Sequence, residues 1–259
     1  MKSPQENAAG ASCNELPKAI EHLYRVFSPY PARPGMPYCE DDLTPDEVRV
    51  LTSTPLMAIE ESHLNSYVWT AISKAGELVD YKHFLPRVFH KLLYEGSTVD
   101  AEVVTGRLGE AKWLTWPAVE QSAVRSFFIE WWQHLLSFYP SYHDAESCLC
   151  AIALALDDLT PFLDYWWVCR NIEALRHLAN LLDSNYKSLM EDGPLFSGWW
   201  EERPAQMEQV RQWILNPATK AILEDASAGF AHDPSAKELS GAVQQVDWVH
   251  EARAKREAI

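Results

Sequence analysis

The stretch "PAVEQSAVRSFFIEWWQHLLSF", residues 117–138, decides the fold class. Val124, Phe127, Phe128, Trp131, Trp132, Leu135 and Leu136 recur at the three- and four-residue steps of an α-helix, with no period-two alternation. The stripe is wide enough to bury a helix on most of its sides, which makes this the expected central helix. Outward from it, helix-start signals are dense. Thr44-Pro45 with Glu47, Thr54-Pro55, Thr160-Pro161 and Asn216-Pro217 each set a capping side chain before a proline, whose missing N–H is harmless in a first turn. Ser235 with Glu238 has capping-box spacing, and Gly76, Gly96 and Asp192-Gly193-Pro194 are stops.

No segment joins polar–apolar alternation to β-branched enrichment, so no strand is expected. The fold class predicted is all-α, a multi-helix bundle or an irregular HEAT-like helical array of about ten helices. The expected helices are 16–28, 45–52, 55–75 with a break near Ser62, 80–95, 100–111, 117–138, 145–157, 161–191 in one piece or two, 199–215, 217–228 and 235–254. Residues 1–15 are read as a flexible N-terminus and 16–259 as a single domain, with 96–116 the place for any sub-boundary. The pairs Trp131-Trp132, Trp166-Trp167 and Trp199-Trp200 stand 35 and 33 residues apart, which is solenoid-repeat spacing, but the residues between them match poorly. An irregular bundle with aromatic core layers is the preferred reading.

Composition narrows the function classes. Lys and Arg number 22 against 37 Asp and Glu, a formal charge of −15 that repels a phosphate backbone and argues against direct nucleic-acid binding. A basic protein surface is the better electrostatic match. The five Cys, Cys13, Cys39, Cys148, Cys150 and Cys169, are odd in number and scattered, so core thiols are expected rather than a disulfide framework. "MKSPQENAAGAS" lacks the apolar core of a signal peptide and no apolar run has the length of a membrane span, which points to a cytoplasmic protein.

Catalytic patterns are sparse. Di-metal bundles need Glu-x-x-His on two helices, and only Glu60-x-x-His63 supplies it, Asp80-x-x-His83 and Asp247-x-x-His250 having the shorter acid. His143-Asp144 and His232-Asp233 are similar to the ligand pair of helical HD phosphohydrolases, yet each aspartate sits where a cap or a turn is expected. No nucleophile elbow and no glycine-rich phosphate loop occurs. Neither a catalytic residue, a metal ligand nor a cofactor is assigned. Acidic doublets remain, and the aromatic-acidic grouping Trp199, Trp200, Glu201 and Glu202, with Glu191, Asp192, Asp157 and Asp158, is the candidate partner-binding set.

In "DYKHFLPRVFHKLL", residues 80–93, Asp80, His83, Arg87 and His90 have near-helical spacing around Pro86. Proline lacks the N–H of an interior helical bond and restricts its predecessor, so Pro86 is expected in a first turn or at a kink. The main helix would run on from about Leu85, with Asp80 as its cap or as partner to Arg87. Asp80, His83, Pro86 and Arg87 are therefore read as a rigid structural corner between helices.

In "YPARPGMPYCEDDLTPDEVRVLTSTPLMAI", "DYKHFLPRVF" and "LTPFLDYWW" the chain resembles a family of bacterial proteins that share a Tyr-Pro stretch leading to cysteines, a KHFLPR block and a late helix. The resemblance spans roughly residues 20–170, with "KHFLPR" at 82–87 its most specific part. It implies a bacterial, intracellular, helical protein and carries no activity with it. The family's early cysteine cluster is reduced here to Cys39. The function expected from all of this is a cytoplasmic, non-enzymatic protein-binding module, in its most concrete form an immunity protein covering the basic active site of a cognate toxin. The alternatives are a helical metal-dependent hydrolase or oxidase using His63, His83 or His143, and a scaffold or adaptor.

Overall fold

The computed structural model describes residues 15–93 and 97–258. The expectations placed on residues 1–14, among them Cys13, and on Gly96 lie outside the described residues. Among the described residues the chain forms twelve α-helices and no strand. They are α1 (Glu15–Phe27), α2 (Pro45–Ser53), α3 (Glu61–Thr70), α4 (Leu78–Leu92), α5 (Ala101–Glu110) and α6 (Ala118–Leu135). They continue as α7 (Ala145–Ala155), α8 (Thr160–Val168), α9 (Ile172–Glu191), α10 (Pro204–Ile214), α11 (Pro217–Gly229) and α12 (Ala236–Glu257). The fold is all-α.

Local chemistry explains most of the boundaries. Thr44 caps α2 through the Glu47 amide and Glu47 reaches back to the Thr44 N–H, a complete capping box. Asp100, Asp144, Asn171 and Asn216 cap α5, α7, α9 and α11. Gly76 ends the loop after α3 at φ +72°, and a Cβ there would meet the Asp80 side chain at 3.0 Å, so both the backbone and the space require glycine.

Some start signals act differently. Thr54 closes α2 instead of opening a helix, and Pro55 leads into a 3-10 turn at Leu56–Ala58. Leu159, not Thr160, is the cap of α8. Ser235 precedes α12 without a side-chain capping bond: its backbone is itself in the right-handed helical region, its N–H donates to Asp233 at 2.8 Å, and Glu238 pairs with Arg176 at 2.8 Å. The segment expected as one helix over 199–215 is a 3-10 turn, Gly198–Glu202, followed by α10. The third Trp pair thus lies in a tight turn while the first two lie in α-helices.

The chain divides into two compact units, one ending at Trp131 and one starting at Trp132. In the first, Phe89 stacks on Phe127 with centroids 4.3 Å apart, and Phe127 stacks on Trp131. Phe27, Tyr67, Phe84 and Trp113 fill the same core. A charged pair is sealed within it: the Lys82 ammonium donates to Glu120 at 2.6 Å with both side chains at most 7% exposed. Lys82 also lies 4.5 Å over the Trp116 ring, and Tyr30 donates its hydroxyl to the other Glu120 oxygen.

In the second unit Trp132 meets Trp166 edge-on at 5.2 Å and donates its indole N–H to the Phe162 carbonyl, while Trp166 stacks on Trp213 at 5.1 Å. Cys148 and Cys150 are buried on α7 and are not joined in a disulfide. The long helices α9 and α12 pack side by side, joined by the Arg176–Glu238 ion pair.

Removing one member of a buried ion pair strands the other in a medium that solvates it poorly. Lys82→Met is therefore expected to destabilise the protein by about 3–5 kcal/mol in urea unfolding. The double variant Lys82→Met, Glu120→Leu should recover most of that loss, since no lone charge remains.

Candidate functional site

The KHFLPR block is not a corner. Helix α4 runs unbroken from Leu78 to Leu92 with Pro86 in its interior. An interior proline costs about 3 kcal/mol through its missing N–H and its ring. Each fully buried Phe, Leu or Val side chain contributes about 1.5–3 kcal/mol, and α4 buries Phe84, Leu85, Val88, Phe89 and Leu92. Burial outweighs the proline. Asp80 does cap, accepting from the Glu77 N–H at 2.7 Å, but its cation is Arg33, whose Nε donates to it at 2.8 Å. Arg87 donates from Nε and a terminal nitrogen to the Ile59 carbonyl at 3.1 and 2.9 Å, clamping the end of the 56–58 turn. His83 faces the Tyr30 carbonyl at 2.8 Å, so the proton sits on Nδ1, and its Nε2 is buried without a partner.

Of the histidines weighed for a metal, His143 lies edge-on to the ring of Tyr142 and His63 is half-buried in the first turn of α3. Among the described residues no group of three or more His, Cys, Asp and Glu is placed to hold a metal ion.

The expected partner-binding set is dispersed by its local bonds. Asp157 pairs with Arg203 at 2.5 Å, and Asp158 accepts from the Thr160 amide and from Gln209. Asp192 ends α9 in the left-handed conformation and pairs with Arg253 and Arg256. Trp200 is fully buried, which removes it as a surface anchor, whereas Trp199 is half-buried and Glu191, Glu201 and Glu202 are exposed. The exposed ring of this segment is Phe196, at 81%.

What holds the segment is a carboxylate that the sequence did not single out. Glu146 on α7 is 4% exposed, and every partner it has is a donor: the Ser197 amide at 2.9 Å, the Trp200 indole at 3.2 Å and the Asn185 amide group at 2.6 Å. Asn185 in turn accepts the Phe196 N–H at 2.8 Å. The two successive backbone amides at Phe196 and Ser197 are thereby fixed by buried side chains, and the Phe196 ring is carried outward on anchored backbone. Asn185 also donates to the Leu181 carbonyl, one turn back on α9, which fixes its amide orientation. A mid-helix Asn in an otherwise apolar stripe was the one legible sign of this network; Phe196 itself, between Pro194 and Gly198, carried no periodicity.

Burial pushes the Glu146 carboxyl up from its usual value, while the donors on Ser197, Asn185 and Trp200 hold it back. No family model matches the chain, and no curated protein and no solved structure is significantly similar to it.

Glu146→Ala should cost about 1–3 kcal/mol for each buried donor left unpaired, as seen in chemical unfolding. A carboxyl whose pKa is raised by folding contributes stability below its ordinary value and loses it as the pH rises through the raised one. Compared with Glu146→Gln, which does not ionise, the unaltered chain should therefore lose thermal stability from acid towards neutral pH.

Proposed function

We propose that this protein is a non-enzymatic binding module for a basic protein partner, with Phe196 as its aromatic anchor. The observation that carries this reading is an 81% exposed phenylalanine whose own amide and the next are bonded to the buried Asn185 and Glu146. A large apolar ring held in water on ordered backbone gains nothing for folding, but it lowers the entropy lost on association. Aromatic side chains are common anchors at binding hot spots, and acidic neighbours complement a basic partner surface. Glu201 and Glu202 follow within the same turn, Glu191 ends α9 close by in sequence, and the chain as a whole carries −15.

The most concrete form is a cytoplasmic immunity protein that covers the basic active site of a toxin encoded beside it. The acidic balance supports that form. A free arginine or lysine of the partner would lie over the Phe196 face and near the two glutamates. If so, expression of the neighbouring gene alone should be toxic, and co-expression of this protein should rescue growth through a stable complex. Phe196→Ser should abolish the rescue while leaving the melting temperature unchanged, since the ring buries little. A non-toxic neighbour overturns the immunity form, and full rescue by Phe196→Ser overturns the anchor.

A further inference from the structure

A groove of about 480 Å³ runs along the seam of α9 and α12, away from the Phe196 segment in sequence and independent of its role. Its floor is made of small residues, Ala179 on α9 and Gly241 and Ala242 on α12, and a Cβ built on Gly241 would meet nothing within 4 Å. Its two ends differ in charge. At one end stand the Asp183 carboxylate and Gln245, whose Nε2 donates to Asp183 at 2.7 Å. That bond fixes the amide, leaving the Gln245 Oε1 buried with no donor facing it. At the other end stands Lys237, two turns back along α12.

Among the described residues neither Asp183 nor Lys237 forms an ion pair, whereas Glu238, beside Lys237, is held by Arg176. An acceptor that is buried and unbonded, next to a carboxylate without a cation, calls for a donor-rich positive group. The unpaired ammonium at the far end calls for an anion. Lys237 and Gln245 both line the groove and stand eight residues apart, about 12 Å of helix axis, a distance that a short chain of methylenes over Gly241 and Ala242 spans with one polar contact at each end. The volume lies within the range of small-molecule sites, about 300–1,000 Å³.

We infer that this groove binds a small ω-amino acid, with its ammonium on Asp183 and the Gln245 carbonyl and its carboxylate on Lys237. The apolar methylenes lie on the floor that Gly241 keeps open. Titration calorimetry of the full chain with ε-aminocaproate tests this, with hexylamine and hexanoate as single-charge probes. Saturable one-site binding is expected at millimolar concentration, with each single-charge probe weaker by about tenfold or more. Gly241→Leu should abolish binding by filling the floor, and Asp183→Asn should weaken it by about tenfold while leaving the melting temperature in place. No heat with ε-aminocaproate would overturn the inference, and so would hexylamine or hexanoate binding as tightly as the zwitterion. Unchanged affinity in Asp183→Asn would overturn it equally, and this variant stands in for Gly241→Leu should the larger residue disturb folding.

Discussion

A carboxylate at 4% exposure with no cation beside it sets the terms for the second unit. Glu146 is tolerated because three donors converge on it: a backbone amide, an indole N–H and a side-chain amide. One of those donors stands on α9 and the other two on the 3-10 turn at Gly198–Glu202 and its cap, Ser197, so one acid ties α7, α9 and that turn together. Trp200 is buried as a consequence, and Phe196, on the other side of the anchored amides, is turned to the solvent. The candidate interface is therefore a by-product of satisfying a buried charge.

The first unit solves the same problem with opposite charges. Lys82 is matched by Glu120 and Tyr30 under the Trp116 ring, and Asp80 by Arg33 and the Glu77 amide. Arg87 ends on a single carbonyl, that of Ile59. Three of the charged residues in one fifteen-residue helix thus reach separate loops and helices, and they fix where α4 lies relative to them. That is a structural explanation for a motif that reads in sequence like a catalytic face. It also explains how a helix survives an interior proline: the apolar burial on both sides of Pro86, reinforced by polar ties at Asp80, Lys82 and Arg87, exceeds the cost of the lost bond.

Much of the fold was legible because its causes are local. The stripe from Val124 to Leu136 is buried as its period demands, Thr44 with Glu47 and Asn216 before Pro217 start helices, and Asp144 caps α7 as its position before "AESCLC" suggests. Where reading failed, a partner remote in sequence had intervened. Glu238 has the spacing of a capping box but pairs with Arg176, 62 residues away, and Asp80 takes Arg33 rather than the nearer Arg87. The candidate site was legible only in outline. The segment 196–202 was marked by its aromatic and acidic residues, yet which ring faces water depends on Glu146, some fifty residues earlier.

The sequence by itself determined that the chain is helical, where most helices start, and that its balance is acidic, because period, capping and charge act over a few residues or over none. Only the tertiary structure decided that Trp200 is buried and Phe196 exposed, that Pro86 lies within a helix, and that Asp183, Gln245 and Lys237 border one groove. Those outcomes depend on which distant donors meet which buried acceptors, and on how much apolar surface a neighbouring helix covers. Neither quantity is carried by any single stretch of the chain.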